Sequence, residues 1–478
     1  MSCPTDAPLR ERLASLPADN PSIPWELYLV LPTLIGATLL IPFLYHRAWT
    51  SAWHIYALFT QRTLEPTPPP GCSMYGAPGE RNPSDGAEAE ADPAGGNRIK
   101  ALFIYPIKSC HPVEVHSAEI TPTGFKYDRA FAFAQWTTPT PQAGADLTTP
   151  TTASTSPFTD DQADDQFQPP PASGHWAFLT QRSHPRLARV RCEIWLPDST
   201  LKYHSPTDVP LLIIAFPFTP DGLRGTLASL FEKLRRRDKG AEPMLTFHVP
   251  LTPSEEDYPA ARLRIWRDYP HALDVGRAMS PDVKSKLAYA LGVSNDISLF
   301  AVHPARSRVL YKCAPGPEVL GRQAAVGFAD SYPIHLQNLT SIADTEARVP
   351  PGRRYTPDAR RFRANIYISG PAPYAEDAWT RVSIAGLPLH VSALTPRCSL
   401  PSTHPDSGEK ALNEPFGTMV KYRVVDEGSK GPCLGVHLVP GKGAVGGEVR
   451  VGDKLEVVGE GGHVYVADPG RGAWRPVV

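Results

Sequence analysis

The stretch VSALTPRCSLPSTHPDSGEK, residues 391–410, has the residue types and spacing best suited to chemistry. A strand-like run leads into Thr395 and Pro396, a turn that presents Arg397 and Cys398 at its edge. A guanidinium beside a thiol favours the thiolate, and a thiolate suits a soft or sulfur-ligated metal. The plainer reading is a packed cysteine, since free thiols commonly serve as small buried hydrophobes. His404 and Asp406 read as turn residues of the same loop.

Several elements must carry that loop. IKALFIYPIKS, 99–109, reads as a strand stopped by a proline turn, and FKYDRAFAFAQW, 125–136, as the next strand. WAFLTQ and ARVRCEIW flank an SHPRL turn, and Leu223–Arg235 has helical character. PDVKSKLAYALG, 281–292, opens on proline and closes on glycine as a helix should. RFRANIYISG, RVSIAGLPLHVSAL and VRVGDKLEVVG supply further strands. The expected fold is mostly β with some α, in two units: a small barrel or sandwich at 99–300 and a second unit of strands at 301–460.

The remaining segments read as appendages: a short tail at 1–24, a disordered linker at 62–98, an insertion at 136–174 and a C-terminal tail at 461–478. Leu27–Tyr45 carries no charge, so residues 25–47 read as one transmembrane anchor. Arg47 and Arg62 weakly place the larger C-terminal part in the cytosol. The 478 residues hold 48 Lys and Arg against 49 Asp and Glu, a near-neutral balance that gives no reason to propose nucleic acid as partner. Seven scattered cysteines fit a reduced compartment, and no CxxC pair suggests zinc or an iron–sulfur cluster. GKGAVGG at 441–447 lacks the spacing of a dinucleotide fingerprint.

Six ordered motifs, IYPIKSC (104–110), GFKYDRAF (124–131), FLTQRSHPRL (178–187), RFRANIYISG (361–370), PYAEDAW (373–379) and PRCSLPSTHPDSG (396–408), carry a resemblance. The sequence resembles the MOSC-domain family, and within it the mitochondrial amidoxime-reducing group. The resemblance implies an N-terminal β-barrel domain at 99–300 and a β-barrel-like MOSC domain at 301–460, and molybdenum held by molybdopterin, with Cys398 as the protein thiolate on the metal and the catalytic residue. It implies cofactor contacts from Lys108, Ser109, Arg129, Arg363, Asn365 and Arg397, a donor set suited to a pterin phosphate. Taken alone, Lys108 and Arg129 read as solvated strand-end charges, Ser109 and Asn365 as turn or edge residues, and Arg363 as outward-facing.

The implied reaction is reduction of N-hydroxylated compounds such as amidoximes. Its electrons would come from a cytochrome b5-type donor and an NADH-dependent flavin reductase, NADH-cytochrome b5 reductase. The implied location is the mitochondrial outer membrane, single-pass, with a lipid bilayer as partner. Sulfur transfer and non-catalytic carriage of the cofactor are the alternatives within the family. The chain departs from the pattern at Pro396, where a small polar residue is common, and at Pro401, Ser402 and His404. NLTSIADTE, 338–346, also differs, and Asn338 and Ser341 stand there as further cofactor contacts.

Overall fold

In the computed structural model, the described residues are 71–85, 96–138 and 174–465, apart from 206, 207, 238, 239, 267 and 311. The chain forms two compact units, one of residues 1–62 with Pro220–Ala241 and one of Thr63–Thr219 with Glu242–Val478. The described part of the first includes the helix Leu223–Arg236. It closes at Arg237 in a left-handed conformation, with Lys233, Arg235 and Arg236 favourably placed on its last turn. All that follows concerns the second unit.

A nine-stranded sheet positions the site. Its order is Ala77–Pro78, Val113–Val115, Arg98–Ile104, Ile366–Ser369, Ile334–Asn338, Cys433–Pro440, Leu387–Pro396, Trp379–Ile384 and Leu455–Glu460. Arg98–Ile104 is an interior strand, antiparallel both to Val113–Val115 and to Ile366–Ser369. Its apolar run is therefore covered on both faces. Ile99, Leu102 and Ile104 join the large core, while Ala101, Phe103 and the following Tyr105 pack with Phe362, Tyr367 and Leu434 in a smaller one. Each such large apolar side chain contributes roughly 1.5–3 kcal/mol on burial. The sheet thus draws strands from both sides of residue 300. Phe131–Thr137, His175–Phe178, Ala260–Arg264, His271–Asp274 and Ile297–Val302 close into a separate five-stranded barrel.

The helix expected at 281–292 runs Pro281–Leu291, with the Ser280 side chain capping Val283 N–H and Gly292 left-handed at its end. Four expectations are corrected. The fold is mixed α/β rather than mostly β. Among the described residues no helix is long and apolar enough to cross a membrane, and the anchor segment 25–47 lies outside them. The transmembrane helix, the lipid bilayer as partner and the single-pass outer-membrane location therefore leave the account. Residues 72–75, inside the segment read as disordered linker, form a strand antiparallel to Arg191–Pro197, which half-buries the CSMY run. The strand expected from 125 begins only at Phe131. Asp128 pins the preceding residues as a turn by accepting from Tyr105 N–H at 2.8 Å. The insertion lies outside the described residues from 139 to 173.

The segment 338–346 forms the helix Leu339–Ala347, which Asn338 caps by accepting from Thr340 N–H at 3.2 Å. Asn338 Nδ2 and Ser341 Oγ both donate to Glu376 Oε2, at 3.1 and 2.9 Å. Their polar atoms are thus spent on the cap and on Glu376 rather than offered to a ligand. Burial raises the fully enclosed Glu376 to about 7 from an ordinary 4.5, despite those two donors. A raised folded value means the carboxyl favours the native state below pH 4.5, and that advantage fades as pH climbs to about 7. Glu376→Gln should remove this decline and be more stable than the parent at pH 8, by up to on the order of 3 kcal/mol. Urea unfolding at pH 5 and pH 8 reads it. Equal pH dependence in both proteins would count against a buried titrating carboxyl.

Candidate functional site

The loop after Arg98–Ile104, the segment before Ile366–Ser369 and the end of Leu387–Pro396 together bring cationic side chains into one cluster. Lys108 is buried, and its Nζ donates to Phe328 O at 2.7 Å and to Asp330 Oδ1 at 2.5 Å. Burial lowers Lys108 to about 8 even though Asp330 opposes the change. Desolvation acts to raise Asp330, but Lys108 outweighs it and holds the carboxyl below the usual range.

Arg129 and Arg363 share one aromatic ring. Each guanidinium carbon lies 4.3 Å from the Tyr105 ring centre. Arg129 is anchored: Nη1 donates to both oxygens of Asp128 and to Asn365 Oδ1, and Nη2 donates to Arg363 O. The Arg363 guanidinium makes no hydrogen bond among the described residues, and burial lowers its proton affinity, with Arg129 adding repulsion. Asn365 is 1% exposed; its Oδ1 also accepts from His335 N–H at 3.2 Å, and its Nδ2 donates to Phe103 O at 3.1 Å. It acts as the bracket that orients Arg129.

Arg397 donates from Nη2 to Phe362 O at 2.9 Å and from Nη1 to His335 Nε2 at 3.4 Å, while its Nε has no partner among the described residues. Cys398, next along the chain, is half-buried, whereas the other five described cysteines are buried. Sequence reasoning missed two histidines here. His335 and His437 face each other across paired strands with ring centres 5.4 Å apart, and His437 stacks on Tyr332 at 4.7 Å. Gln337 Nε2 donates to His335 Nε2 at 3.1 Å, so that nitrogen accepts from two donors and the ring is neutral. Burial and Arg397 push both histidines down, His437 to about 3. Both lie inside strand runs without a motif around them, so spacing gave no signal.

Three of the predicted residues have a left-handed backbone: Ser109 at φ 67°, Arg129 at 47° and Arg363 at 54°. Such conformations cost about 1–3 kcal/mol each in non-glycine residues and gather where structure serves a ligand. Four cations, Lys108, Arg129, Arg363 and Arg397, share the cluster with two carboxylates, Asp128 and Asp330. Buried polar atoms without partners lie in the surrounding strands and loop: Arg397 Nε, Thr395 Oγ1, Gln337 Oε1 and His437 Nδ1. A cluster of this kind suits an anion with several acceptor oxygens. Among the described residues no three His, Cys, Asp or Glu side chains converge as a metal cage. A metal here would take most of its ligands from another molecule.

Residues 96–224 match the MOSC N-terminal beta barrel domain, and residues 323–456 match the MOSC domain. The chain is similar to mitochondrial amidoxime-reducing component 1 of Homo sapiens, 30% identical over 140 residues that make up 28% of this chain and 40% of the human protein. It is 29% identical to mitochondrial amidoxime reducing component 2 of Rattus norvegicus over 155 residues, 31% of this chain and 44% of the rat protein. A longer match, 23% identical over 332 residues, links it to molybdenum cofactor sulfurase of Oryza sativa subsp. japonica, covering 68% of this chain and 31% of that protein. Each match spans less than half of the relative's length.

The two arginines on Tyr105 should behave differently when removed. Arg129→Ala strands Asp128, whose side chain is 3% exposed, and should cost about 3–5 kcal/mol. Arg363→Ala breaks no hydrogen bond to the protein and relieves repulsion with Arg129, so it should leave stability within about 1 kcal/mol. Urea unfolding of both variants reads the contrast. Equal losses would mean that Arg363 is a structural cation like its neighbour.

Proposed function

We propose, from the premise that this chain belongs to the MOSC-domain family, that it is a molybdopterin-dependent molybdenum oxidoreductase that reduces N-hydroxylated compounds such as amidoximes. Family membership supports the general oxidoreductase role. The observation that carries the finer reading is the cluster of cations, Arg363 among them with no hydrogen-bond partner among the described residues, that includes Arg397, the neighbour of the half-buried Cys398.

The residues fit the cofactor. Lys108, Arg129 and Arg363 would meet its phosphate, aided by the half-buried Ser109, while Asn365 holds Arg129 in place. Arg397 would sit beside the metal's protein ligand, Cys398. The bound group would supply a metal able to pass two electrons and accept an oxygen atom. In the overall reaction the N–O bond breaks, two electrons and two protons enter, and water leaves. Electrons would arrive from a separate cytochrome b5-type donor served by NADH-cytochrome b5 reductase.

Sulfur transfer is the second reading, and the long match to the rice sulfurase favours it. Donor-dependent reduction of an amidoxime separates the two, because a sulfur-transfer protein or a carrier would show none. Cys398→Ser should keep the pterin, since the phosphate contacts remain, but lose at least ~100-fold in turnover per bound pterin, as expected when a soft sulfur ligand is replaced by a hard oxygen. Arg363→Ala should instead lose pterin on purification. An unchanged per-pterin rate in Cys398→Ser would reject the thiolate assignment.

A further inference from the structure

Asp406 occupies an unusual place. It lies eight residues beyond Cys398, in a loop built on itself: Thr403 bridges Lys410, and His404 Nδ1 accepts the N–H groups of Asp406 and Ser407 at 3.2 and 3.3 Å. The turn thereby holds the Asp406 carboxylate toward two other segments. Oδ1 accepts from His111 Nε2 at 2.8 Å, and Arg360 reaches both oxygens, at 3.1 and 2.7 Å. His111 is 2% exposed and Arg360 5%, so these are sheltered, charge-assisted bonds. Burial would raise Asp406, but the His111 and Arg360 bonds hold it below the usual carboxylate range.

The partners matter because of their neighbours. His111 follows Lys108 and Ser109 on the same turn, and Arg360 lies on the short helical turn Ala359–Phe362 that ends at Arg363. His111 also donates from Nδ1 to Pro112 O, so both its nitrogens are engaged. Arg360 is braced further by Asp358 and by Gly79 O. One carboxylate therefore joins the loop of Cys398 to the segments that carry Lys108 and Arg363.

We infer that Asp406 is a positioning residue for Cys398, fixing the thiol loop in register with the Lys108 and Arg363 segments. Its link to the metal rests on the function proposed above; its effect on the loop does not. A purely stabilising carboxylate would loosen the whole protein when removed. A positioning carboxylate loosens chiefly one loop.

Cysteine alkylation of the full chain by iodoacetamide, without added cofactor and resolved by peptide mass, tells these apart. Asp406→Asn should raise the Cys398 rate about tenfold, as expected from freer local opening once charge-assisted bonds are lost. The buried Cys192 and Cys433 should react as in the parent. Asp406→Glu should recover part of the protection. If Asp406→Asn does not fold, His111→Leu, which removes the His111 bond and leaves the Arg360 bonds, should give the same selectivity more weakly. An unchanged Cys398 rate, or a parallel rise at all three cysteines, overturns the inference. Pterin content is read separately: a parent without pterin would defeat the proposed function but leave the alkylation result decisive for Asp406.

Discussion

Charge held out of water is the constraint on which this structure turns. Lys108, Arg363 and Arg397 are gathered with Arg129 where burial disfavours the charge of the first three, and the two carboxylates nearby answer only part of the cluster's charge. Replacing a buried ion pair whole with apolar groups of similar volume is often neutral or stabilising for a fold. The presence of these cations is best understood through a bound anion that restores the lost solvation. The rest of the site follows: carbonyls of Phe328, Arg363 and Phe362 take donors that no carboxylate meets, and Tyr105 offers its ring to two guanidinium groups.

The strained backbone belongs to the same account. Ser109, Arg129 and Arg363 adopt left-handed conformations that glycine would reach more easily. At Arg129 and Arg363 a glycine would forfeit the cation. The surrounding sheet can hold such strain because one of its interior strands, Arg98–Ile104, is packed on both faces and leads directly into the Lys108 turn.

Much of this was legible in the residues. Strand periodicity located Arg98–Ile104 and Leu387–Pro396, and proline and glycine bounded the helix Pro281–Leu291. The motif order pointed to Lys108, Arg129, Arg363 and Arg397, which the fold brings into one neighbourhood. What stayed hidden depends on long-range contacts. Asp128 breaks an apparent strand through a bond to Tyr105, 23 residues away, and Asn338 becomes a helix cap whose amide answers Glu376. Neither partner is visible locally. The His335–His437 pair arises from register between strands about 100 residues apart, and Asp406 read as a turn residue because its acceptors' partners lie far off in sequence. Hydropathy alone suggested the membrane anchor, and no helix among the described residues supports it.

The central claim is that the cationic pocket seats a pterin whose metal is bound by Cys398. X-ray absorption at the molybdenum edge tests it most directly, with the parent and Cys398→Ser purified alike and matched for metal content. The account predicts one fewer sulfur neighbour and one more oxygen or nitrogen neighbour around the metal in the variant. Identical sulfur counts in the two proteins, or purified parent protein lacking molybdenum and pterin, would contradict it.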